Sequence, residues 1–121
     1  MALKPLGWIG TARDDLLAFP EKVVREVGHA LYIAQQGGKH PSAKPLKGFG
    51  GAGVVEIVED HDGDSFRAVY TVRFAAVVYV LHAFLKKSKS GIGTPPKEIK
   101  KIQARLKVAE EEYRQWRNGK Q

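Results

Sequence analysis

The chain has 121 residues, 43% of them hydrophobic, and no cysteine. That is one domain's length, enough to bury about two thirds of the unfolded surface, and it excludes disulfides, thiol catalysis and thiolate metal sites. The net charge of +7 is segregated, with no acid between Val27 and Val55 or between Ser65 and Lys97, which fits an anionic partner such as nucleic acid, or else a solvated basic face.

The N-terminus, "MALKPLGWIG", lacks the long apolar core of a signal peptide. No stretch approaches the ~20 apolar residues of a membrane helix. The expectation is a cytoplasmic protein with no membrane part. Residues 5 to 10 predict a short first strand around Trp8 and Ile9. "TARDDLLAFP" predicts a short helix with Thr11 as N-cap and Asp14 and Asp15 in the first turn, where the helix dipole favours them. Pro20 suits the first position of a second helix. Val23, Val24, Val27, Ala30, Leu31 and Ala34 recur on one face of it. Gly37 and Gly38 end it. The two helices together predict a helical hairpin.

Residues 39 to 53 read as a loop holding Pro41 and Pro45. The stretch contains a literal G-x-G-x-x-G at Gly48, Gly50 and Gly53. A dinucleotide-binding turn needs a buried strand before it and a helix after it. Here "KHPSAKPLK" precedes it, and the strand formers Val54, Val55 and Ile57 follow. The motif is therefore read as a turn, and Lys44 and Lys47 beside it as phosphate contacts. Three strands follow: "VVEIVED", "SFRAVYTVRF" and "AVVYVLHAF". Asp62-Gly63 is a hairpin signal between the first two. The "DHDGD" around it resembles part of a calcium loop, but the twelfth position counted from Asp60 is Thr71, not a glutamate. The four histidines show no metal-ligand spacing, so neither metal nor cofactor is expected. "SKSGIGTPP" reads as a connector. From Pro96 onward, Ile99, Ile102, Leu106, Ala109, Tyr113 and Trp116 form the stripe of an amphipathic helix that packs on the sheet.

Register arithmetic suggests a site. With the turn at Asp62-Gly63, the numbers of opposed residues sum to 125, so Arg67 faces Val58 and lies diagonal to Glu56. With a second turn at Phe74-Ala75 the sum is 149, and His82 faces Arg67. Glu56, Arg67 and His82 then share one sheet face, with Lys86 further along it. RNA is cut by its own 2′-hydroxyl when a base takes that proton, an acid protonates the leaving 5′-oxygen and cations stabilise the phosphorane. Glutamate or histidine can do either proton transfer, and arginine can clamp phosphate. The alternative is a sheet-surface ion pair with His82 merely hydrogen-bonded.

The blocks "KPLKG" at 44–48, "GVVEI" at 53–57, "DGDSFRAVY" at 62–70 and "VYVLHAFLKKS" at 78–88 resemble the phage-derived HigB-like branch of the RelE/ParE toxin superfamily. The resemblance runs from Trp8 to about Ile102. It implies an α+β fold of RelE type, with the helical hairpin on a small twisted antiparallel sheet and a C-terminal helix, in one domain over 1–121. It implies the toxin of a toxin–antitoxin pair, cutting mRNA on the ribosome without metal and neutralised by a helix-turn-helix, HigA-like antitoxin. Arg67 matches the arginine of the central strand, and Glu56 falls where some relatives carry a catalytic glutamate. Lys44 and Lys47 match a basic loop, and His82, Lys86 and Lys87 fall where relatives place C-terminal catalytic or basic residues. The rivals within the superfamily are a ParE-like gyrase poison and a phage protein that binds RNA without cutting it. The tail from Lys107 to Gln121 exceeds the usual pattern.

Overall fold

The structure, a computed structural model, describes residues 2–50, 53–86 and 93–119. Strand β1 (Leu6–Trp8) leads into helices α1 (Ala12–Leu17) and α2 (Glu21–Gln35). Strands β2 (Lys44–Pro45), β3 (Val54–His61), β4 (Asp64–Thr71) and β5 (Val78–Lys86) follow, and helix α3 (Pro96–Gly119) closes the chain. The sheet order is β1-β5-β4-β3-β2. All neighbours are antiparallel except β1, which runs parallel to β5.

Helix α2 buries Val23, Val27, Ala30, Leu31 and Ala34 on the predicted face. It ends in a Schellman motif: the Gly38 N–H bonds to the Ile33 carbonyl and the Gly37 N–H to that of Ala34, with Gly37 at φ 91°. Pro20 holds the cap position with ψ 145°, one residue before the first helical turn. Thr11 precedes α1 but makes no side-chain cap. Its hydroxyl donates instead to Asp15 Oδ2 at 2.7 Å.

One sheet face carries Val55, Ile57, Phe66, Ala68, Tyr70, Val78, Val80 and Ala83 against α1 and α2. The other carries Val54, Val69, Tyr79, Leu81 and Phe84 beneath Ile102 and Ala109 of α3. The sheet is thus covered on both faces, the hairpin on one and the C-terminal helix on the other. Gly7 allows this at β1, since a Cβ there would lie 2.5 Å from the Tyr79 ring.

The turn at Asp62 and Gly63 has both φ positive, at 50° and 83°, as a two-residue type I′ hairpin requires. Val58 faces Arg67, as the arithmetic predicts. The next connection corrects it. β4 ends at Thr71 and β5 begins at Val78, a longer link than a Phe74-Ala75 turn. Tyr70 pairs with Val80, but Val69 pairs with His82, which leaves Leu81 as a β-bulge. Arg67 therefore faces Phe84, not His82. The longer link moves the register by one residue, which alone would turn His82 to the other face. The bulge adds another and turns it back, so His82 still shares a face with Arg67.

Candidate functional site

The site is built on the α3 side of the sheet. Cross-strand pairing makes three rows there: Lys44–Glu56–Val69–His82, then Val58–Arg67–Phe84, then Asp60–Ser65–Lys86. Lys44 joins its row because Lys44-Pro45 is an edge strand on β3, where the sequence suggests only loop. Proline is tolerated at such an edge.

Glu56 is the hub. Its Oε1 accepts from Arg67 Nη1 at 3.1 Å, and its Oε2 accepts from the Thr94 hydroxyl at 2.7 Å. Arg67 is 8% exposed, and its Nε has no partner among the described residues. A guanidinium this buried needs its carboxylate. Beside Glu56 opens a cavity of about 270 Å³. Pro45, Leu46 and Ile99 wall it, Lys44 and Lys47 line its basic side, and Glu56, Gly93 and Thr94 complete it. Both lysines are exposed.

His82 lies in the Glu56 row but answers to α3. Its Nε2 is 3.2 Å from Glu98 Oε1, and its Nδ1 is 3.2 Å from Arg105 Nη1. Arginine can only donate, so Nδ1 is the bare nitrogen and Nε2 carries the proton that Glu98 accepts. The ring stacks on Phe84 at 4.9 Å. Burial pushes its pKa below the ordinary value; the Glu98 hydrogen bond opposes this, and the Arg105 and Lys101 charges add to the lowering. Arg105 Nη1 also bonds to the Leu81 carbonyl at 3.0 Å. Lys86 Nζ donates to the Gly93 carbonyl at 2.6 Å. Lys87 lies outside the described residues, as does most of the connector after it.

The structure thus brings Lys44, Lys47 and Glu56 together at one cavity, with Arg67 paired to Glu56; Arg67, His82 and Lys86 are not among its lining residues. Thr94, Glu98 and Arg105 are absent from the sequence-level site. Glu98 and Arg105 fall seven apart on α3, beside Ile102 and Ala109 of the buried stripe, and that spacing is the signal that could have found them. Among the described residues, no three His, Asp or Glu side chains group as metal ligands. No described helix is long and apolar enough to cross a membrane.

Residues 14–107 match the family model described as phage-derived protein Gp49-like, a domain family known as DUF891. No curated protein matches the chain. Among solved structures it is similar to the toxin–antitoxin complex RelBE2 from Mycobacterium tuberculosis. The match has 22% identity, covers 73% of this chain and 97% of that one, and has a TM-score of 0.43.

Proposed function

This chain belongs to the phage-derived Gp49-like family, and from that premise we propose that it is the toxin of a toxin–antitoxin pair, a metal-independent endoribonuclease that cuts mRNA on the ribosome in the cytoplasm. A helix-turn-helix, HigA-like antitoxin is the partner that the sequence resemblance implies. The observation that carries the reading is Glu56, a carboxylate paired with Arg67 at 3.1 Å on the wall of a cavity flanked by Lys44 and Lys47.

In this reading Glu56 takes the proton of a ribose 2′-hydroxyl. The oxyanion attacks the adjacent phosphorus, the bond to the 5′-oxygen breaks, and a 2′,3′-cyclic phosphate remains. Arg67 supplies charge to the phosphorane as it develops. His82 is the donor to the leaving 5′-oxygen as an imidazolium: Nδ1 takes up a proton from solvent as Arg105 withdraws, Nε2 gives its proton up, and neutral imidazole remains. Because Glu98 shares that proton at 3.2 Å, the leaving oxygen displaces Glu98 or receives the proton through it. Lys44 and Lys47 hold the scissile phosphate beside Glu56, and Lys86 and Lys87 hold flanking ones.

The test is primer extension on cellular mRNA after induction of wild type and of Arg67→Ala, with folding of the variant checked by circular dichroism. Wild type should create new 5′ ends. Arg67→Ala should lower cleavage roughly 100-fold to 1000-fold, as removal of a comparable charge-stabilising donor does, and weaken RNA binding far less. Toxicity without new 5′ ends, and with DNA breaks instead, would make the protein a gyrase poison. A variant that cuts as fast as wild type would leave a nuclease with a different active site.

A further inference from the structure

The cavity beside Glu56 has three chemically distinct surfaces. Leu46 and Ile99 give it apolar walls, Lys44 and Lys47 a cationic side, and Glu56 a hydrogen-bond acceptor. A bare phosphate would use only the lysines and would be repelled by the carboxylate. A purely apolar ligand would leave the carboxylate unanswered. The combination fits a molecule with an apolar body, a hydroxyl and a phosphate on the same small frame.

A hydroxyl already sits on the acceptor. Thr94 Oγ1 donates to Glu56 Oε2 at 2.7 Å while Arg67 holds the other oxygen. This is the geometry a general base needs with the alcohol it deprotonates. Here the alcohol comes from the protein itself.

We propose that the cavity seats the ribonucleoside on the 5′ side of the cut. Its base lies between Leu46 and Ile99, its 3′-phosphate against Lys44 and Lys47, and its 2′-hydroxyl on the Glu56 oxygen that Thr94 now occupies. The choice of RNA as ligand rests on the nuclease reading; the shape and polarity of the cavity do not. Thr94 is then an internal stand-in for the substrate hydroxyl. It keeps the Glu56 carboxylate satisfied and oriented while the cavity is empty, and it competes with ribose when the cavity fills.

The proposal is tested by titrating the full-length protein with each of the four ribonucleoside 3′-monophosphates, their 2′-deoxy counterparts and inorganic phosphate, followed by NMR. At least one ribonucleotide should shift the Ile99 and Leu46 methyls saturably. Its deoxy counterpart should bind about 10-fold more weakly, the worth of one hydrogen bond to a charged group. Inorganic phosphate should leave the methyls unmoved. Thr94→Val removes the competing hydroxyl without changing shape, so the ribo-to-deoxy ratio should widen by about five-fold, one ordinary net hydrogen bond. Thr94→Ala should do the same if the valine perturbs folding. Equal affinity for ribo and deoxy forms, an unchanged ratio in both Thr94 variants, or shifts confined to lysines would overturn the assignment. Ribonucleotide binding at Ile99 with cellular mRNA left intact would keep the cavity and overturn the nuclease. Cut mRNA with unmoved Ile99 would do the reverse.

Discussion

In the proposed nuclease the Glu56–Arg67 pair would serve both stability and activity, and the two can be separated by choice of substitution. Glu56→Ala removes the carboxylate 3.1 Å from Arg67 Nη1 and leaves a guanidinium that is 8% exposed, with its Nε already without a partner among the described residues. Breaking a buried pair from one side costs about 3–5 kcal/mol. The cavity beside Glu56 admits water to the freed charge, so the lower end, about 3 kcal/mol, is expected. At this chain length that is a fall in melting temperature of roughly 12 °C. Arg67→Ala should cost a similar amount through lost packing and a stranded Glu56. The double variant should cost about 4 kcal/mol, because the second truncation removes the charge that the first one stranded. The coupling energy is then about 2 kcal/mol. Glu56→Gln differs in kind. It keeps an acceptor for the guanidinium and loses the proton-accepting carboxylate, so it should cost only about 1 kcal/mol while reducing RNA cleavage to the level of the alanine variant. Urea denaturation at neutral pH measures the cycle, and primer extension measures the cleavage. Single costs that add to within about 0.5 kcal/mol would show two independent side chains. Full cleavage by Glu56→Gln would remove Glu56 from the proton transfers.

Replacing Lys44 and Lys47 together by alanine should weaken RNA binding and flatten its salt dependence by roughly 0.7 log units for each lost single-strand phosphate contact; an unchanged slope would detach the basic loop from the substrate. Cutting of ribosome-programmed mRNA should persist in excess EDTA once ribosome integrity is verified separately, and loss of activity restored only by zinc or manganese would overturn the mechanism. His82 enters the folded protein neutral because burial lowers its pKa below 6.5. Its contribution to stability is therefore full above about pH 6.5 and is lost as pH falls toward the lowered folded value. His82→Gln should flatten that acid limb in urea titrations, and an identical limb would place the sensitivity elsewhere. Arg105→Met removes a cation that lowers the same pKa and should raise it in an NMR titration; a fixed value would deny the contact.

What the sequence shows of this fold depends on how strongly local chemistry specifies each piece. Asp62-Gly63 dictates a turn type, so the pairing of β3 with β4 follows to the residue. No such signal marks the link to β5. "RFAA" has no turn chemistry, and "VVYVLHAF" is too uniformly apolar to reveal where alternation breaks. The bulge at Leu81 is therefore invisible, although it decides which face His82 takes. Thr94 escapes for another reason: it precedes α3, in a connector with no periodicity to assign it a face, and the α3 spacing that marks Glu98 does not state which sheet face the helix covers. Arg105 ties these gaps together. A bulged residue leaves backbone groups without ladder partners, and Arg105 Nη1 meets the Leu81 carbonyl at 3.0 Å. The same nitrogen reaches His82 Nδ1, while Nη2 reaches the Thr11 hydroxyl at 3.2 Å before α1. One guanidinium thus satisfies the irregular strand, fixes the imidazole tautomer and joins the C-terminal helix to the start of the hairpin. The bulge and Arg105 form one device: the bulge brings the histidine to the site face, and the arginine determines which of its nitrogens bears the proton.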